Sequence, residues 1–500
     1  MEKKTVVKVN ENNYETALIS KSLKQALLDL KIISGKTMDL NIMEVEISEH
    51  KCAVVSIEGM ASTSAMAELV FRPLMEFDVK GYATEDDIFK FLTKQSLLAS
   101  ERKIQTTYGE VFLTLFSGFA VIFIDGCDKC VAFGIQGFDK RSIEEPTSDG
   151  NLNGSHEGFI ETIRTNISLV RRRLKTPKLR FDMQQIGSDS KTDVCVAYIT
   201  DKAPQEVIDK VKENLNRIDL DTIITTGYVE PFLEGKHKSL FSNVLSTDRP
   251  DTFCAKLNEG RVGILVDGVP LTLICPSLFI ENFQTIDDYV NKPFYTTYIR
   301  WIKYIAFFLA IALPGLCVAI ATNHPEILTH KFLMNLAASE EVTPYSFFFE
   351  AFLITIMYEL MREAGIRLPK AIGGAVSIVG ALIIGDAAVS SSLVSAPLLI
   401  IIGLTATASF VIPNLNPQTS VFRMLFIIAG GFAGLFGITL CFAFMLVNIS
   451  ALESYGVPYN APLSPFTFKA MRDVVTRPSF KKLGRSKTII EDLNGAKKTF

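Results

Sequence analysis

The chain has 500 residues, 48% hydrophobic and 21% charged, with a formal net charge of −3. At roughly 150 residues per domain this length predicts about three domains. The composition excludes a disordered chain, a secreted disulfide scaffold and a protein whose basic charge seeks nucleic acid.

The apolar excess is uneven. Residues 301–450 carry six Lys/Arg and seven Asp/Glu, and the other 350 residues carry the remaining 92 of 105 charges. A soluble part is therefore joined to a membrane part. The N-terminus MEKKTVVKVNENNYE has no apolar core behind its lysines, so no secretory signal is expected. Nothing before residue 290 is long and apolar enough to span a bilayer. The soluble part is expected in the cytoplasm.

In chain order, LNIMEVEI (40–47) and KCAVVSIEG (51–59) read as strands, and SAMAELVFRPLMEF (64–77) as a helix. FAVIFIDGCDKCVAFGI (119–135) reads as two strands around an Asp125-Gly126 turn. DVCVAYI (193–199) is a strand. APQEVIDKVKENLNRI (203–218) is an amphipathic helix with Val207, Ile208, Val211 and Leu215 on one stripe. GRVGILVDGVPLTLICP (260–276) repeats the hairpin pattern at Asp267-Gly268. The fold class expected is an α+β or α/β soluble region of two small subdomains with mixed sheets, then a polytopic α-helical membrane domain and a short basic tail. The boundaries are 1–140, a basic connecting segment 141–180, 181–298, 299–450 and 451–500.

Arg171, Arg172 and Arg173 in that connecting segment suggest a contact with anionic headgroups or an acidic partner surface. The alternative is a solvated helix end, where cations are favoured. Cys127 and Cys130 resemble half a zinc site or a redox pair, but four ligands are needed and no second pair accompanies them. A hairpin turn containing two cysteines is the preferred reading. His324 and His330 share one loop without a metal-binding motif. No phosphate loop, dinucleotide fingerprint or nucleophile elbow occurs, so no enzyme, cofactor or metal is expected.

Five apolar runs follow, at about 301–322, 345–361, 371–389, 393–412 and 421–449. The fifth is long enough to tilt or bend and contains Gly430, Gly431, Gly434 and Gly437. Arg300 and Lys303, then Arg362, Arg367 and Lys370, then Arg423, are expected on the cytoplasmic side. So is the tail at 469–487, with seven Lys/Arg against one Asp. An odd number of crossings contradicts this. Either one run is re-entrant, with 371–389 the candidate, or the last run ends elsewhere.

Within PYSFFFEAFLITIMYELMREAGIRLPK (344–370), Glu359, Arg362 and Glu363 share one helical face, with Thr355 and Tyr358 beside it. Ionisable groups at membrane depth normally face a bundle interior or water. The helix either lines an aqueous pore with an acidic ring, or holds a Glu–Arg pair that fixes packing, or ends at the membrane interface.

The segments FGIQGFDKRSIEEPTSDG (133–150), GFIETIRTNISLVRRRLKTPKL (158–179), STDRPDTFCAKLNEGRVGILVDGVPLTLICPSLFIENFQTIDDY (246–289), FEAFLITIMYELMREAGIRLPKAIGGAVSIVGALIIGDAAV (349–389) and SLVSAPLLIIIGLTATASFVIP (392–413) together resemble the A subunit of GerA-type spore germination receptors. The resemblance covers roughly residues 105–468. It implies a multi-pass protein of the spore inner membrane. Its partners would be a permease-like B subunit that senses nutrient, a lipoprotein C subunit, the lipid bilayer and further copies of itself, with no nucleic acid. It implies an oligomeric ring acting as a nutrient-gated channel for monovalent cations. The helix FEAFLITIMYELMREAG would line that pore, with Thr355, Ile356, Glu359, Arg362 and Glu363 as candidate lining residues. A non-conducting scaffold and a secondary transporter are the alternatives. The transporter ranks last because no internal repeat is visible among the five runs.

Overall fold

The computed structural model describes residues 9, 13–35, 37–47, 50–72, 84–95, 101–137, 146, 154–234, 239–367, 385–484 and 489–496. The first unit opens with α1 (Leu23–Ser34) and the hairpin β1 (Leu40–Ile47) and β2 (His50–Ile57). Short helical segments at 63–72 and 85–95 lead to β3 (Arg102–Gln105), α2 (Tyr108–Leu115) and a second hairpin, β4 (Phe119–Ile124) with β5 (Cys130–Gly134). The second unit repeats this order. It runs α3 (Ile163–Arg173), β6 (Leu179–Ile186), β7 (Thr192–Ile199), α4 (Gln205–Asn216), β8 (Leu245–Thr247), α5 (Pro250–Asn258), β9 (Val262–Val266) and β10 (Thr272–Cys275).

The sheets are ordered β1-β2-β4-β5-β3 and β6-β7-β9-β10-β8. These are one topology used twice. The repetition extends to single hydrogen bonds. Asp125, in the first hairpin turn, accepts from the N–H of Leu23 at the start of α1 at 2.8 Å. Asp267, in the second, accepts from the N–H of Ile163 at the start of α3 at 3.0 Å. Each carboxylate meets a helix N-terminus whose N–H groups have no partner within the helix. Gly126 and Gly268 follow them with φ of 87° and 83°.

The expected mixed sheets are corrected: every strand pair among the described residues is antiparallel. The helices α2 and α5 do carry the chain over the sheet, so that β3 and β4, like β8 and β9, point the same way. The hairpin partner β5 or β10 lies between them, and no parallel pair forms. The connector expected at 141–180 is also corrected, because α3 and the start of β6 belong to the second unit.

The strands read as continuous apolar runs because both sheet faces are covered. Ala53, Val55, Val121 and Phe123 pack under α1 and α2, while Val54, Ala120, Ile122 and Val131 face the segments at 63–72 and 85–95. In the second unit, Val194, Val196, Ile264 and Leu273 share one core with Phe307, Ile311, Phe422, Phe426 and Ile449.

The helices that follow are α6 (Pro293–Asn323), α7 (His330–Glu340), α8 (Phe347–Arg367), α9 (Ala396–Phe410) and α10 (Asn416–Ala451). Two stretches are long and apolar enough to cross a bilayer, Pro293–Asn323 and Pro413–Ala451. The second is not a straight rod. Gly434 has φ 58° and ψ −142°, and the chain folds back there. The Phe426 and Phe442 rings stand 4.8 Å apart, although sixteen residues of straight helix would separate them by about 24 Å. Asn323 donates to the Gly430 carbonyl at 3.1 Å, beside the fold. At the other end, Phe422 stacks on Phe241 and Asn448 accepts from Ser239, so both limbs return to the second unit. The run expected at 371–389 lies mostly outside the described residues, as does Lys370.

Candidate functional site

The helix α8 sits among α6, α9 and α10. Phe348 at its start packs 5.6 Å from the Phe432 ring beside the Gly434 fold. Eleven residues on, Glu359 receives two guanidinium groups: Arg362 at 2.8 Å from its own helix and Arg423 at 3.1 Å from α10. Arg423 is 1% exposed. It also donates to the Ala310 carbonyl of α6 at 2.8 Å and lies 5.5 Å from the Tyr358 ring centre. Tyr358 in turn meets Ser409 of α9 at 3.3 Å. One carboxylate and two cations thus tie three helices together, and the Tyr358–Ser409 contact adds α9.

The candidate pore residues divide between faces. Thr355 is buried, and its hydroxyl donates back to the Ala351 carbonyl at 2.7 Å. Glu359 and Arg362 are partly covered and paired. Ile356 and Glu363 lie on a different stripe with Leu360 and Arg367, all exposed at helical spacing. Glu363 and Arg367 pair at 2.7 Å along that stripe.

Arg423 was the residue that position in the sequence obscured. Its place at the start of a run reads as a simple charged flank, and the structure shows a buried tie between helices. The available signal was its isolation, as the one charged residue between 401 and 450. Glu350, in the first turn of α8, is a second buried charge. It is fully buried and accepts from the N–H of Ser395, next to the start of α9, at 3.1 Å.

The triple arginine is corrected as well. Arg171 is fully buried, bonded to Asp39 of the first unit at 2.9 and 3.0 Å, with Phe116 and Phe181 rings about it. Arg172 and Arg173 both bond Glu157. The cluster joins the two units and offers no open anionic site at Arg171. The signal was missing because Asp39 lies 132 residues away.

Arg300 and Lys303, at the base of α6, both bond Asp288, at 2.9 and 3.1 Å. Arg300 also bonds Asp473 of the tail at 2.9 Å, and Tyr289 donates to the same carboxylate at 2.7 Å. The tail is therefore folded onto the base of the helices. The eight cysteines are free thiols. Burial pushes the Cys130 thiol well above its ordinary value, which suits a packed strand residue rather than a redox partner. Among the described residues no group of His, Cys, Asp and Glu is arranged to hold a metal.

The family model described as Bacillus/Clostridium GerA spore germination protein matches residues 29–489. The chain belongs to the GerA family of spore germination proteins. It is 36% identical to spore germination protein KA of Bacillus subtilis (strain 168), over 92% of this chain and 85% of that protein. It is 34% identical to the uncharacterized membrane protein YfkQ of the same organism, over 98% and 96%. Spore germination protein GerLA of Bacillus cereus is 32% identical, over 91% and 93%. The crystal structure of the N-terminal domain of the A subunit of the Bacillus megaterium spore germinant receptor GerK3 aligns with 53% of this GerA-family chain and 98% of its own, at 27% identity and a TM-score of 0.41.

Proposed function

We propose that this chain is the membrane subunit of a nutrient-responsive germination receptor in the spore inner membrane, and that copies assemble through α8 into a ring conducting monovalent cations. The observation that carries this reading is the exposed stripe Ile356, Leu360, Glu363 and Arg367. A stripe with two charged residues is costly against lipid and suits a second protein surface or water. Permease-like and lipoprotein subunits are the further partners of this reading.

The fold-back at Gly434 supports six crossings. The five apolar runs of the sequence, with the last counted twice for its two limbs, give that number. Each limb has about 17 residues and spans about 26 Å, near the thickness of the hydrocarbon core. An even count returns the tail to the side of the soluble units, in agreement with its contact with Arg300. The conflict in the positive-inside pattern then disappears.

A non-conducting scaffold is the second reading. It is favoured by the pairing of Glu359 with Arg362 and Arg423, which leaves no bare acidic ring at that level.

Single cysteines along 349–367, in a background without other cysteines, test the assembly by crosslinking in native membranes. Multimer ladders peaking at 356, 360 and 363 are the expected result. Crosslinks without helical period, or only to other subunits, remove the ring and leave the scaffold.

A further inference from the structure

A cavity of about 150 Å³ lies where the second unit, the start of α10 and the tail meet. Glu230, Ser242, Ser277 and Asn282 line it from the soluble side, Gln418 from α10, and Tyr459 from the tail. An apolar cavity of about this volume holds a molecule the size of benzene, with six carbon atoms. This lining is polar, so its occupant must form hydrogen bonds.

The charge balance narrows the occupant. Glu230 is the one charged side chain among the described residues that line the cavity. Its carboxylate accepts from the Ser242 hydroxyl at 2.9 Å. Burial pushes the Glu230 carboxyl above its ordinary value; the Ser242 hydrogen bond opposes this, and nearby Glu234 adds to it. Elsewhere in the lining, the buried Oε1 of Gln418 has no donor among the described residues. The serine hydroxyls and the Asn282 side chain add further hydrogen-bonding capacity. A lining that carries one negative charge and a buried acceptor without a donor selects for a cation with several N–H groups. Among the described lining residues an anion meets no basic side chain and faces Glu230.

The geometry points to a binding site for a small protonated amine, of about six non-hydrogen atoms at most, held by Glu230 on the soluble unit and Gln418 on α10. Three parts of the chain line the site. An occupant therefore bridges the second unit to α10, and its binding depends on their relative position. The inference does not rest on the ring: it holds for the scaffold reading too.

The test uses the full chain in nanodiscs, in amine-free phosphate buffer at constant ionic strength. Ethanolammonium chloride is the probe, ethylene glycol its neutral counterpart of equal size, and potassium chloride the inorganic cation. Binding is followed by calorimetry and by the melting temperature. Saturable binding of ethanolammonium, absent for ethylene glycol, is the expected result. Glu230→Gln should weaken it tenfold or more, the usual worth of a charge-assisted hydrogen bond. Gln418→Leu, which leaves the charge in place, should weaken it by a smaller factor and keeps the test open if the first variant fails to fold. Equal responses to ethanolammonium and ethylene glycol overturn the proposal. So does potassium matching ethanolammonium, which assigns the site to inorganic ions. Unchanged affinity in both variants also overturns it.

Discussion

The Cys441 thiol lies 3.9 Å from the carbonyl oxygen of Leu425, sixteen residues earlier in the same apolar stretch. That contact requires the two limbs of α10 to run side by side. Asn414 and Glu453, which flank them, should then face the same side of the membrane. Single cysteines at these positions should react with an impermeant maleimide from one side only. A cysteine at Glu326, beyond the end of α6, should react from the other. Labelling of 414 and 453 from opposite sides would show a straight crossing.

Gly434 makes the fold-back possible. Its φ of 58° with ψ of −142° belongs to a region used almost only by glycine. A Cβ there would also stand 2.8 Å from Nε2 of His324. Gly434→Ala should cost about 1–3 kcal/mol from backbone strain alone, read as a lower melting temperature of the purified protein. Gly403→Ala, with nothing within 4 Å of its Cβ position, is the matched control and should be neutral.

The two sheet units are pinned by Arg171 and Asp39. Removing one partner of a buried pair leaves the other charge uncompensated. Arg171→Met should cost about 3–5 kcal/mol. The double variant Arg171→Met with Asp39→Leu should recover much of the loss. A double variant no better than the single one would mean that the packing of the guanidinium between Phe116 and Phe181 matters more than its charge.

Glu359 and Glu363 should behave differently despite being one turn apart. Glu359→Gln leaves Arg362 and Arg423 facing each other, so it should lower stability in detergent melting. Glu363→Gln lies on the exposed stripe and should leave melting within about 0.5 kcal/mol, as surface changes do. If the ring forms, Glu363→Gln should alter cation flux through reconstituted channels. Flux that responds to Glu359 and not to Glu363 would move the pore to the other face of α8.

The raised pKa of Glu230 makes a signed prediction. A carboxyl with a folded value above its ordinary 4.5 binds its proton more tightly in the folded state. Its contribution is present below pH 4.5 and is lost as pH rises through the raised value. Glu230→Gln cannot ionise. In amine-free buffer its melting temperature should therefore gain on the parent as pH rises from 4 to 7. A gap that narrows over this range would contradict the assignment.

Local elements were legible in the residues because their causes are local. Strand β1 follows from its β-rich run between polar residues, and the hairpins from Asp-Gly turns that need a positive φ. Helix α4 follows from four apolar residues on one stripe. The same holds for the family, whose long segments occur in order along the chain. The candidate site was only half legible. The helix was found, but the faces of Thr355 and Ile356 depend on which neighbours cover them.

What the sequence by itself determined is the division into charge-rich and apolar parts, the elements with clear periodicity, and the family. What only the tertiary structure decided is how distant pieces meet. Asp39 finds Arg171, Arg423 finds Glu359, and one sheet order is used twice by dissimilar sequences. The apolar run at 421–449 has the same composition whether straight or folded at Gly434. Composition and periodicity report the energy of a segment with its solvent and its near neighbours. Burial of charge, strand order and chain reversal depend on contacts between residues far apart along the chain, and those are fixed only when the whole core packs.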